Sequence, residues 1–211
     1  MPASTPSPAR APRQPRTVVR LSDARSLRSQ EALRAALLRL IEVKPFAEVS
    51  LKDITAEAGV SYPTFFKHFA SKEALFEDLA RQEISDFFQR TLTDEAGAPD
   101  WRPGEQMRLY VSERRGLWRT LLTAGAVEAM RSEFLRIGRE RASVRPVLPH
   151  GFPVDMVSGV VISGLFEIIA WWLAQGEDAE QADVATMLET LVLEPVLGVP
   201  PGFFTSRKPR S

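Results

Sequence analysis

Tyr62, Pro63, Thr64, Lys67 and His68 lie within seven consecutive residues, interleaved with Phe65 and Phe66. Phe65 and Phe69 are four apart, the spacing of a single helical face, so the polar members of the run fall on the other sides of the same short helix. Tyr62 and Thr64 can donate hydrogen bonds, Pro63 offers an apolar surface to a methyl group, and Lys67 and His68 can reach phosphates. A helix of this size fits the major groove of double-stranded DNA, where base edges carry distinguishable donor, acceptor and methyl patterns. Lys72 adds a charge at the start of the next helix, where free backbone N–H groups already attract phosphate.

The rest of the chain offers little competing chemistry. It has no Cys, which excludes disulfides, thiolate zinc sites and Cys nucleophiles, and only two His, His68 and His150. It has no Walker loop and no G-x-G-x-x-G. Ser61 and His68 are seven apart with no orienting carboxylate between them, and no convincing carboxylate pair occurs elsewhere. No catalytic residue, metal site or cofactor is therefore expected.

The elements that must position Tyr62 to His68 are punctuated by their own residues. Ser50 caps a helix beginning at Leu51, with Asp53 at its third position; Ile54 and Ala58 point inward, and Gly59 ends it. Ser61 caps the next helix, whose first turn tolerates Pro63. Ser71 caps a longer one carrying Leu75, Phe76, Leu79, Ile84, Phe87 and Phe88 to about Thr91. Upstream, a helix from about Ser26 carries Leu33, Ala36, Leu37, Leu40 and Ile41 on one stripe, and Pro45 stops it. Two short helices about a Gly-containing turn, residues 51–58 and 61–68, make a helix-turn-helix.

The run from Ser50 to Phe76 resembles the DNA-binding domain of the tetracycline-repressor (TetR) family of transcriptional regulators. The match covers roughly Gln30 to Leu79, with Ile54, Ala58-Gly59-Val60-Ser61, Thr64, Phe69, Ser71-Lys72-Glu73 and Leu75 in register. The DNA-contact set taken from motif and resemblance together is Ser50, Ser61, Tyr62, Pro63, Thr64, Phe66, Lys67, His68 and Lys72. Three positions depart from the common pattern. Pro45 and Pro63 stand where Gly is frequent, and Phe66 replaces a Tyr whose hydroxyl would reach a phosphate. Phe66 is read as an extra packing residue.

The resemblance implies an all-α protein, with an N-terminal three-helix helix-turn-helix domain and a C-terminal helical bundle for ligand binding and dimerisation. It further implies a homodimer formed through the C-terminal helices, a near-palindromic double-stranded DNA operator, and release by a small-molecule effector of unknown identity. Repression is the expected mode of action. An adaptor of the same fold, whose C-terminal face binds a protein instead, is the alternative.

Helical periods continue through residues 105–113, 116–123, 126–142, 154–175 and 179–197, with a polar linker at 93–104 and a Pro-rich loop at 143–153. The stretch from Met156 to Ala174 is nearly long enough to cross a membrane. Glu167 near its middle, and the lack of Lys or Arg at either end, favour a helix covered on one side by its own domain and on the other by a twin subunit. No membrane partner is expected. Met107, Trp118, Met130, Phe134, Phe166, Glu167 and Trp171 are candidates to line an effector pocket, with ordinary core packing the alternative for the apolar ones. Trp101 and Trp172 complete the four tryptophans. Glu167 is expected to pair with an Arg inside the bundle, such as Arg114, Arg115 or Arg119, with a cationic ligand the alternative partner.

Charge follows the same division. The whole chain is formally neutral, yet residues 1–82 hold 13 basic against 9 acidic residues and the remainder 14 against 18. A polyanion partner is thus expected for the first part alone. Residues 1–22, with five prolines, four arginines and no acid, read as a disordered basic arm suited to tracking phosphates. The helix-turn-helix domain is placed at 23–82, the ligand-binding and dimerisation domain at 83–197, and a mobile tail at 198–211. The first fifteen residues have no apolar core, so a cytoplasmic location is expected.

Overall fold

Leu33, Ala36 and Leu37 are completely buried, as their stripe along the first helix requires. The computed structural model describes residues 18–91, 102–144, 151–175 and 183–198. Expectations for Trp101, His150, most of the 93–104 linker and the tail beyond residue 198 lie outside the described residues, as does the basic arm through residue 17. Among the described residues every regular element is a helix.

Helix α1 (Val18–Val43) is followed by a single 3-10 turn at Phe46–Glu48, then α2 (Leu51–Ala58), α3 (Tyr62–His68) and α4 (Lys72–Thr91). The second half holds α5 (Pro103–Ser112), α6 (Arg115–Thr123), α7 (Val127–Val144) and α8 (Val154–Ala174). Last come α9 (Val184–Leu188), a wider π-helical stretch at Glu189–Leu193, and α10 (Glu194–Leu197). Residues 18–22, expected in the arm, are instead the first turn of α1. No Gly or Pro occurs between Val18 and Lys44, so nothing interrupts the helix upstream of its buried stripe. The last helical region begins at Val184, where Asp183 caps it by accepting from the Thr186 N–H at 2.9 Å.

α4 is shared by two packed regions. Its first half buries Leu75, Phe76 and Leu79 in the same cluster as Leu33, Leu37, Ile54 and Phe65, and Phe76 stacks on Phe46 at 4.2 Å. Its second half, with Ile84, Phe87 and Phe88, enters the core of the other helices, where Phe88 meets Phe134 at 4.6 Å and Phe87 meets Trp118 at 5.5 Å. The expected division at residue 82 therefore falls inside one continuous helix. α7 packs on both α4 and α8, and α5 packs on α9.

Two buried carboxylates tie distant elements. Glu83 of α4 accepts from the Trp118 indole N–H of α6 at 2.9 Å, with the Arg114 guanidinium 3.8 Å away. Burial pushes its carboxyl above the usual range, and the Arg114 charge and Trp118 hydrogen bond work against that shift. Glu189, with no exposed surface, starts the π-helical stretch and caps α5, accepting from the Gly104 N–H at 3.2 Å and from Arg102 at 3.1 Å. Here too burial raises the carboxyl and Arg102 opposes it.

Gly104 is required by this contact, because a Cβ there would overlap the Ala185 carbonyl and the Glu189 side chain. Gly104→Ala is expected to lower stability by roughly 1–3 kcal/mol, the range for forcing volume into a packed site. Urea unfolding checks this; an unchanged midpoint would mean that α5 and the π-helical stretch are not in close contact.

Candidate nucleic-acid interface

The candidate reading helix α3 has two turns, about 10 Å at 1.5 Å per residue. Its neighbours hold both ends. Ser50 Oγ accepts from the Asp53 N–H at 3.2 Å, and the Asp53 carboxylate accepts from the Ser50 N–H at 2.9 Å, completing a capping box at the start of α2. Lys44 also pairs with Asp53 at 2.8 Å, and this bond, with those from Ser50, holds the Asp53 carboxyl well below the usual carboxylate range. Gly59 takes the left-handed conformation at φ 66°, which turns the chain from α2 into α3. Ser61 Oγ accepts from the Thr64 N–H at 3.4 Å and lies 3.0 Å from Thr64 Oγ1.

Phe65 is the anchor of α3 and has no exposed surface. The opposite side faces outward: Tyr62, Pro63, Phe66 and Lys67 are exposed, and Thr64 and His68 are partly so. The His68 ring lies 6.4 Å from Phe69. Ser61 and Ser50 are also exposed, beside the outer face and at the start of α2 respectively. Eight of the nine expected contact residues thus lie on or beside one exposed region around α2 and α3.

Two readings need correction. Phe66 does not pack inward: it is 53% exposed, edge-on to Phe65 with ring centroids 5.4 Å apart. One residue beyond Phe65 is 100° around the helix, so it follows Tyr62 by four and shares its outward face. Lys72, the ninth residue, is turned inward. Its ammonium donates to the carbonyls of Phe46, Ala47 and Val49 at 3.2, 3.4 and 2.9 Å and lies 4.8 Å from the Phe46 ring. The Phe46 carbonyl also accepts from the Val49 N–H at 3.1 Å, so Lys72 ties the two ends of the 3-10 turn together.

Lys52 was not singled out from the sequence. It is exposed in the first turn of α2, two residues beyond the Ser50 cap. Its signal was present: a lysine beside the unpaired N–H groups of a helix start.

The effector-pocket candidates divide. Met107, Trp118, Met130, Phe134 and Phe166 are buried together in the C-terminal core. Trp171, 42% exposed, and Glu167 stand on the outer side of α8, so the seven share no common wall. The expected internal pair of Glu167 is not formed. Arg114 serves Glu83 and Glu113, Arg119 donates to the Leu173 carbonyl at 2.9 Å, and Arg115 lies over Trp172. The α8 positions that do face inward are Ile162, Leu165, Phe166, Ile169, Trp172 and Leu173.

The family described as bacterial regulatory proteins, tetR family, matches residues 33–79, which span α2, α3, the last part of α1 and the first part of α4. Over these residues the chain is similar to the tetR family. Curated relatives agree with the tetR match. The HTH-type transcriptional regulator EthR of Mycolicibacterium smegmatis is 41% identical over 76 residues, covering 36% of this chain and 33% of that protein. EthR of Mycobacterium tuberculosis is 34% identical over 110 residues, 49% of each. The chain thus spans a third to a half of the length of these relatives. A crystal structure of a TetR transcriptional regulator from Streptococcus agalactiae shares the fold beyond the tetR domain. It covers 84% of this chain and 98% of its own, with a TM-score of 0.56 and 19% identity.

The geometry of Lys72 leads to a test on the isolated protein. Lys72→Met is expected to lower stability by about 1–3 kcal/mol, the cost of withdrawing a charged donor from partly buried carbonyls. Chemical denaturation measures it. A variant as stable as the parent would mean that the ammonium is free and available elsewhere.

Proposed function

We propose that the chain is a DNA-binding transcriptional regulator that acts as a homodimer, each subunit laying α3 in a major groove. The observation that carries this reading is the short helix pinned by fully buried Phe65, with Tyr62, Pro63, Thr64, Phe66 and Lys67 turned outward. A groove about 12 Å wide admits such a helix. The name HTH-type transcriptional regulator borne by the EthR relatives supports it.

In this reading Tyr62 and Thr64 hydrogen-bond base edges, Pro63 and Phe66 meet thymine methyl groups, and Ser50, Ser61, Lys52, Lys67 and His68 hold the backbone. Lys72 acts only by fixing the turn before α2. Dimerisation is assigned to the outward side of α8. Met156, Val160, Ser163, Glu167 and Trp171 follow one another at steps of four, three, four and four residues, a continuous stripe along the helix. Met156 and Val160 are more than half exposed, as is Leu191 on the neighbouring π-helical stretch. A second copy covering this stripe removes apolar surface from water by a self-complementary contact.

Repression follows if the dimer occupies an operator and a small molecule releases it. The effector must favour a spacing of the two α3 helices different from the DNA-bound one, since a ligand moves an equilibrium only by its differential affinity. Met107, Trp118, Met130, Phe134 and Phe166 remain candidates to meet it, but their burial means that a guest there must first open packed core. Residence in the cytoplasm goes with this role.

Selection of bound genomic fragments by the purified protein is expected to enrich a near-palindromic site with half-site centres about 34–36 Å apart, or a multiple. Thr64→Val should relax discrimination at one position by about 1–3 kcal/mol. Lys67→Ala should weaken binding to all sequences and reduce the salt slope by about one, while Lys72→Met leaves the slope unchanged. Binding that is blind to sequence and indifferent to both α3 substitutions would refute the reading.

A further inference from the structure

A cavity of about 440 Å³ opens where α1, α4 and the start of α6 meet. That volume is within the range of sites for small organic molecules. Its apolar wall is made by Leu38 of α1, Leu79 of α4 and Leu117 of α6, one leucine from each helix. The polar lining is strongly biased towards acid: Glu42, Glu83, Asp86 and Glu113 face two guanidinium groups, Arg114 and Arg115.

The two arginines are already engaged. Arg114 lies 3.8 Å from Glu83, 3.4 Å from Glu113 and 4.5 Å over the Tyr110 ring, and Arg115 lies 4.6 Å over Trp172. Glu83 is in turn held by Trp118. What remains is Glu42, with no ion pair among the described residues, and Asp86, whose hydrogen bond there is from the neutral Gln82 amide at 2.9 Å.

We infer that this cavity is a binding site for a small amphiphilic organic cation, its apolar body on Leu38, Leu79 and Leu117 and its ammonium towards Glu42 and Asp86. An anion would meet uncompensated carboxylates, and a neutral guest would leave them unpaired. The site lies between α1, which packs against α2 and α3, and α6, which packs against α8. A guest therefore acts on the contact through which the C-terminal helices meet the reading domain. This rests on the proposed regulatory function for its consequence, though not for the binding itself.

Three probes of one shape test the charge preference: 4-phenylbutylamine, 4-phenylbutan-1-ol and 4-phenylbutyrate, titrated calorimetrically into the full chain near neutral pH. The amine is expected to bind once per chain and at least about tenfold more tightly than the alcohol, with the carboxylate weakest, a difference of about 1.4 kcal/mol. Glu42→Gln combined with Asp86→Asn should abolish the preference for the amine and leave the alcohol unchanged, with a thermal melt to show that the variant is folded. Equal binding of the three probes, no binding of the amine, or an undiminished preference in the folded variant would overturn the inference. Should the variant not fold, the matched series on the parent decides alone. With the selected operator present, the amine should lower DNA affinity. Operator binding without amine binding overturns this inference only, and amine binding without any operator binding overturns the regulatory reading only.

Discussion

Phe65 has no exposed surface, and the outward face of α3 exists because of it. A seven-residue helix is far too short to persist by its own hydrogen bonds, since nucleation costs more than so few propagated turns return. The stability of α3 has to come from burying Phe65 in the hydrophobic cluster that also holds Leu33, Leu37, Ile54 and Leu75. Once that face is committed, the helical period sends Tyr62, Pro63, Phe66 and Lys67 the other way. The capping box at Ser50, the left-handed Gly59 and the Ser61 cap then set the angle at which α3 leaves α2. Lys72 completes the arrangement from behind by holding the carbonyls of Phe46, Ala47 and Val49 in the turn before Ser50.

The second constraint is α4, which enters both cores without a break. A rigid helix shared in this way transmits displacement along its length, and it is fixed to the C-terminal helices by Phe87 and Phe88 together with the buried Glu83. Glu83 binds Trp118 and faces Arg114, while further out Glu189 joins the π-helical stretch to Arg102 and Gly104. Burying such groups is costly unless they are paired, and removing one partner is worse than replacing both. They hold specific pairs of helices in specific registers, where apolar contacts alone would tolerate sliding. The junction cavity lies along the same seam, between α1, α4 and α6.

The elements around α3 were legible in the sequence because each is punctuated locally. Ser50 with Asp53, Gly59, Ser61 with Pro63, and Ser71 with Glu73 state where helices start and stop, and Phe65 and Phe69 state which face is covered. What escaped was whatever depends on a partner distant in the chain. Lys72 looks like a phosphate ligand until α1 and the 3-10 turn bring three carbonyls to it. Phe66 looks like core until Phe65 takes the buried direction. Glu167 looks buried in so apolar a helix, yet the packing of α8 leaves it on the outer stripe, while Glu83, Glu189 and Glu194 are the carboxylates buried among the described residues. The π-helical stretch at Glu189–Leu193 has no local punctuation at all.

The central claim is that α3 enters the major groove of DNA from each subunit of a dimer. Dimethyl sulfate reacts with guanine N7 in the major groove and adenine N3 in the minor groove, so protection of a bound fragment tests it directly. The account predicts two patches of guanine protection, symmetric about the site centre and separated by one helical turn or a whole multiple, with both lost in a Phe65→Ala variant. Protection confined to adenine N3, or a single unsymmetric patch that survives that substitution, would contradict it.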